Sequence, residues 1–252
     1  MSIATKLQTI AENEQKVYEA GCEKGKAMGG YSEGYDAGKE AERKRFWDDF
    51  FLDGKLTNGT AVFAGACWND KTFLPDRDLD FKIWSQTFGR YFGVTGSLTD
   101  WLDKLGVKLD FSKATNSTGL VEMFYYSNQV DVGTLDLSVM PISYIGTPFA
   151  YANNTTTARL ILKNDGSQSF GGDNAFRSTS LTNLTFEGVI GNNVTFRYCE
   201  KLSNESVQNI IDHLLTITDG VTRTIAFHAD VKAKLTDEQI ATITTEKGWT
   251  LA

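Results

Sequence analysis

A frame of about 25 residues recurs four times in this chain, and it limits the possible fold more than any single motif does. The copies open at Leu109 (LDFSKATNSTGLVEMFYYS), Leu135 (LDLSVMPISYIGTPFAYAN), Leu160 (LILKNDGSQSFGGDNAFRSTS) and Leu184 (LTFEGVIGNNVTFRYCEKL). Each starts with an apolar–x–apolar strand signature and reaches a phenylalanine about half a period later, at Phe124, Phe149, Phe176 and Phe196. A unit this short cannot bury its own apolar face, so successive copies must stack around one continuous core. The expected fold class is therefore an α/β repeat, a solenoid of short strands. Such a fold favours a binding surface over a catalytic pocket.

Strand alternation predicts two inward columns, Leu109–Leu135–Leu160–Leu184 and Phe111–Leu137–Leu162–Phe186. The phenylalanines stack inside the opposite wall. Three residues after each comes a small residue: Ser127, Ala152, Thr179 and Cys199. A buried thiol suits such a column as a small hydrophobe. The other two cysteines, Cys22 and Cys67, are far away and form no CxxC, so neither a disulfide framework nor a zinc site follows.

The repeats at 107–202 are flanked by three other regions. Residues 1–45 read as a long helix, with Ile3, Leu7, Ile10 and Val17 at coiled-coil spacing and glycines stepping by four at Gly21, Gly25 and Gly29. So many glycines weaken an isolated helix. Close packing in a homo-oligomer accounts for them, and a partly helical tether is the alternative. Residues 46–106 form an aromatic-rich cap with a degenerate copy of the frame, in which Leu79 and Phe92 take the key positions. Residues 203–252 close the array. Val207, Ile210, Ile211, Leu214 and Leu215 make one helical stripe capped by Ser203. After a strand at RTIAF, the Thr236–Gln239 capping box opens a second helix that ends at Gly248. The final WTL alternates again.

Composition narrows the function classes. A formal charge of −7 argues against nucleic acid, no apolar run approaches the ~20 residues of a membrane span, and the N-terminus lacks a secretory layout. For catalysis there are only two histidines, His213 and His228, both expected to be exposed, and nothing brings either to a reactive Ser or Cys. No Walker loop or dinucleotide fingerprint is present. No cofactor and no metal site is expected. One acidic feature stands apart: if the copies align, Asp80, Asp110 and Asp136 share an outward column where like charges repel unless a cation sits across them. Lys82, Lys108 and Lys113 offer the alternative of a mixed, solvated face.

The repeats resemble the BspA-like class of bacterial leucine-rich repeats, whose frame has a short apolar strand, a variable stretch, and a Phe followed three residues later by a Cys or other small residue. The likeness covers roughly residues 60–252. More narrowly, the opening MSIATKLQTIAENEQKVYEAG, the FWDDF block, the run Trp68–Pro75, LTNLTFEGVIGNN and the ending KLTDEQIATITTEKGWTLA resemble small proteins encoded in phages and prophages of gut Firmicutes. The resemblance implies a virion protein, tail- or surface-associated, made in the host cytoplasm. Its partners would be a host-surface glycan or protein, or other virion proteins. The chain departs from the frame around Arg177–Thr179, where it is more polar and where extra residues precede Phe176.

Two residues after each spine Phe stand Tyr126, Tyr151, Ser178 and Tyr198. Stacked copies would align them outward as a row of amphipathic rings, with Asn153 and Asn154 supplying neutral donors and acceptors. The opposing reading is that the rings merely cover the edge of the core. At the level of function, a non-enzymatic virion protein that binds through its repeat surface stands beside two alternatives. One is a bacterial surface or secreted adhesin of the same fold. The other is a glycan-processing enzyme on the same scaffold, which would need two facing carboxylates that the sequence does not display.

Overall fold

The computed structural model describes residues 78–252, apart from 80, 82, 90, 91, 105 and 179. The segment 1–45 expected to form a coiled coil, most of the expected cap 46–106, and Asp80, Lys82 and Thr179 lie outside the described residues. The remainder forms small parallel sheets and few helices. Strands β1 (Asp131–Asp136), β3 (Thr157–Ile161) and β5 (Asn183–Glu187) make one sheet; β2 (Tyr144–Gly146) and β4 (Ser169–Phe170) make a second. A third joins β6 (Val194–Phe196), β7 (Thr224–Phe227) and β8 (Thr250–Leu251). All pairings are parallel, and Asp131, Thr157 and Asn183 are partners one frame length apart.

The inward columns need one correction. Leu135 pairs with Leu160, but Leu160 then pairs with Phe186, while Leu184 lies opposite Ala158. The fourth copy is thus offset by two residues from the expected column. An even offset keeps both Leu184 and Phe186 facing the core, where they are buried, so alternation alone cannot detect it. Leu109 bridges to Leu79 and is half-buried.

The phenylalanines form a continuous spine. Ring centroids are 5.5 Å apart for Phe124–Phe149 and 5.9 Å for Phe149–Phe176, nearly parallel in both cases. Phe176–Phe196 follows at 4.9 Å. The spine extends beyond the four expected members, to Phe88 at 5.8 Å from Phe124 and to Phe227 at 5.7 Å from Phe196. In the degenerate first copy the key position therefore belongs to Phe88 and not Phe92. Phe92 occupies the adjoining small-residue column instead: its carbonyl accepts the Ser127 hydroxyl at 2.9 Å.

The polar members of that column, Ser127, Ser178 and Cys199, each reach a backbone carbonyl of the preceding copy. The Ser178 hydroxyl donates to Ala152 O (2.7 Å) and the Cys199 thiol to Phe176 O (3.0 Å). The third-copy member is Ser178, fully buried; it stands two residues after Phe176, where the other copies use three. Burial pushes the Cys199 thiol up to about 12, which makes it an inert packing group at neutral pH. Buried Gln129 and Gln168 bond further backbone groups between copies, including Val94 N–H, Gly96 O and Leu137 O.

Helices close both sides. α1 (Leu98–Asp103), capped by the Ser97 hydroxyl, runs beside β1. β1 shifts register between Asp131 and Thr134, and Gly133 lies there at φ +74°. A Cβ at that position would collide with the hydroxyls of Ser97 and Thr99, so only glycine admits this approach. At the other side α2 (Asn204–Asp212), capped by Ser203, buries Val207, Ile210 and Ile211. Its Ser206 Oγ accepts Leu184 N–H (2.9 Å) and its Asn209 Oδ1 accepts Phe186 N–H (2.6 Å). These side chains satisfy the exposed edge of β5.

The predicted stripe overran this helix. α2 stops at Asp212, and Leu214 leaves it to bridge Ile190. Lys247 Nζ donates to Asp212 O and Leu214 O, neutralising the helix end. Beyond β7, α3 (Ala229–Lys232) leads to α4 (Asp237–Ala241), where the Thr236–Gln239 capping box forms in full. A single wide turn, Thr242–Glu246, continues α4 before Gly248 at φ +76° turns the chain into β8. Arg223 fixes the preceding loop through two bonds to Asp219 and one to Gly191 O, and holds the Asp219 carboxyl below the usual carboxylate range.

The two histidines also differ from expectation. Both are half-buried: His213 Nδ1 lies 2.8 Å from Asn209 O, and His228 Nδ1 caps α3 by accepting Asp230 N–H. Helix ends leave backbone groups open, and a ring nitrogen at a terminus finds them.

If the spine carries the core, Phe149→Ala should destabilise the protein by about 3–5 kcal/mol, whereas Val139→Ala at an exposed position should cost under about 0.5 kcal/mol. Urea unfolding of the two variants checks this, and equal losses would remove the spine from that role.

Candidate functional site

The outward row begins from the spine itself. Each Phe points inward, so the chain must reverse within the next three residues to bring the small residue back to the core. The intervening side chain is left outside. In the first two copies it is Tyr126 and Tyr151, and in the fourth it is Tyr198. Tyr126 is 47% exposed and Tyr198 37%, while Tyr151 between them is half-buried. Backbone bonds tie the positions together, Tyr126 N–H to Tyr151 O and Tyr151 N–H to Arg177 O.

The shortened turn of the third copy corrects the expected row. Ser178 is withdrawn into the core and Arg177 takes the outward place. Its guanidinium carbon lies 4.4 Å from the Tyr151 ring centroid and 5.1 Å from that of Tyr198, and its Nη1 donates to the Tyr151 hydroxyl at 2.8 Å. A guanidinium placed over tyrosine rings gains cation–π attraction while keeping its edge available. Tyr126 stands 6.1 Å from Tyr151, and half-buried Tyr125 packs against both at 4.4 and 5.5 Å. The row therefore runs Tyr126–Tyr151–Arg177–Tyr198. Sequence reasoning missed Arg177 because it counted a constant two residues from each Phe; the polar interruption at 177–179 was the available signal.

The backbone adds a second observation. Tyr126 and Tyr151 have φ of +52° and +58°. This left-handed region is unfavourable for bulky residues and suits Gly or Asn. Gln86 and Glu122 share this conformation at +49° and +50°, so it belongs to the turns of the copies, and at Tyr126 and Tyr151 it carries an aromatic ring.

Both asparagines are exposed; Asn154 is engaged with the preceding copy, its Nδ2 donating to Ser127 O (3.1 Å) and Asn128 Oδ1 (3.0 Å), and Asn153 follows Tyr151 by two residues. The acidic column is drawn into local turns. Asp110 accepts Ser112 N–H and Asp136 accepts Ser138 N–H, and the partner of Asp136 across the sheet is Ile161. Among the described residues no three His, Cys, Asp or Glu are placed to hold a metal, and no helix is long and apolar enough to cross a membrane. A separate cleft of about 320 Å3 is lined by Gln208, Thr236, Glu238, Gln239 and Thr242. Its one ionisable group is Glu238, and Gln239 already bonds Gln208.

No family model, curated protein or solved structure matches the chain.

Tyr126→Asn separates a covering role from an exposed one. Removing a strained backbone offsets the lost ring contacts, so stability should change by less than about 1 kcal/mol. A drop above about 2 kcal/mol in thermal or urea unfolding would make the ring a structural cover.

Proposed function

We propose that this chain is a non-enzymatic binding protein of the leucine-rich-repeat type, a phage virion component whose outward Tyr126–Tyr151–Arg177–Tyr198 row contacts the host surface. The in-register parallel strands one frame apart and the stacked phenylalanines support the repeat reading. The observation that carries the binding reading is the row itself, in which the exposed Tyr126 ring and the half-buried Tyr151 ring are retained at backbone positions that disfavour them. Function can require such local strain, and stability alone works against it. Tyr and Arg are also the side chains that dominate recognition surfaces.

The non-enzymatic reading draws on what the reactive groups already do. Cys199 is buried with its thiol bonded to a carbonyl, and both histidines serve helix ends. Placement in a virion rests on the resemblance of the terminal segments and the repeats to phage-encoded proteins.

The test is a Tyr126→Asn/Tyr151→Asn double variant with an unchanged melting temperature, assayed for attachment to bacterial cells and isolated cell walls. Attachment should fall to background; wild-type attachment by the folded variant would exclude this face. Immunogold labelling of purified phage particles checks the virion assignment, and unlabelled particles would favour a bacterial adhesin.

A further inference from the structure

The charge in the middle of the row suggests what it takes. Arg177 is half-buried between two tyrosine rings, and among the described residues no carboxylate pairs with it. In the next copy the neighbouring arginine is satisfied differently: Arg197 is bound by Asp173 at 3.1 Å. Arg177 has one hydrogen bond, to a neutral hydroxyl, so most of its N–H edge is unanswered by the protein. A guanidinium partly withdrawn from water, with its faces against rings and its edge open, is organised for an oxyanion.

The rest of the row fixes the kind of molecule that would carry that anion. Tyr126 and Tyr198 offer flat, half-exposed faces with hydroxyl rims, and Asn153 adds a neutral amide. A sugar ring matches this mixture, with a C–H face for the aromatic ring and hydroxyls for the polar rims. The positions are also serial. They repeat along backbone-bonded copies, with Tyr126 and Tyr198 exposed, and this suits a chain of repeating units better than a single small ligand.

Building on the host-binding reading above, we infer that the row binds an anionic glycopolymer, with Arg177 pairing a carboxylate or phosphate of the polymer and the flanking tyrosines stacking on its sugar or polyol units. The open guanidinium edge supplies charge selection, and the rings supply contact area.

The test uses the full chain and four soluble probes: hyaluronate, poly(glycerol phosphate), dextran and polyglutamate. Binding is expected to hyaluronate or poly(glycerol phosphate), and the stronger of the two identifies the anion as carboxylate or phosphate. That binding should weaken as salt rises, and Arg177→Gln should weaken it about tenfold or more, the equivalent of one lost charged hydrogen bond. Because salt dependence is read on the unmodified protein, the test survives a variant that fails to fold. Equal binding to dextran, polyglutamate binding as tight as that of the anionic polymers, or no binding to any probe would each overturn the inference. If Arg177→Gln binds like the wild type while the double tyrosine variant loses cell attachment, the anionic ligand is excluded and the host-binding row stands. If the tyrosine variant also attaches normally, both fall.

Discussion

Each phenylalanine of the spine is buried because its neighbours on either side are in place. Phe124 lies between Phe88 and Phe149, and Phe196 between Phe176 and Phe227. A single copy contributes one ring, a strand of a few residues and a small residue, which is far too little apolar area to offset its ordering entropy. Stability is therefore held in the interfaces between copies, and the backbone N–H groups of one copy end on carbonyls of the copies before and after it. The same dependence explains the buried donors. Ser127, Ser178 and Cys199 are small enough to let the spine close, and each buried hydroxyl or thiol is satisfied by a backbone carbonyl of the preceding copy.

Much of this was legible because period carries information. The four-fold recurrence located the spine rings, and capping chemistry located α2 and α4 with their first residues. What the sequence hid follows from three physical degeneracies. A two-residue offset preserves inward facing, so Leu184 could be aligned with Leu160 although it lies opposite Ala158. Phe88 and Phe92 are both apolar aromatics in the degenerate copy, and only packing decides which one stacks. Turn length is not constant either; one residue fewer after Phe176 exchanged the roles of Ser178 and Arg177, and with them the character of the candidate site. The overrun of α2 has a similar origin, since Leu214 satisfies a helical stripe and a bridge to Ile190 equally well.

The row and the spine are two outcomes of one turn. To return a small residue to the core within three positions the backbone reverses sharply, and at Tyr126 and Tyr151 it enters the left-handed region. A chain selected only for stability would place Gly or Asn there. The proposed recognition surface therefore sits where the repeat is locally least comfortable, and the surrounding interfaces hold it there. Asn154 reinforces this arrangement by linking its own copy to Ser127 and Asn128 of the one before.

The side chains of α2 that finish β5 also set a direction for change in length. Ser206 and Asn209 occupy the donors that a further parallel strand would use, so that sheet has no free edge beyond β5. Duplication or loss of a copy by recombination can be accommodated upstream of Asn183, where each copy meets another like itself, but not between β5 and α2, where the join is specific to these two hydroxyl and amide groups. Lineages of this protein should accordingly vary in copy number on one side of a constant C-terminal block, and the block itself should be inherited as a unit.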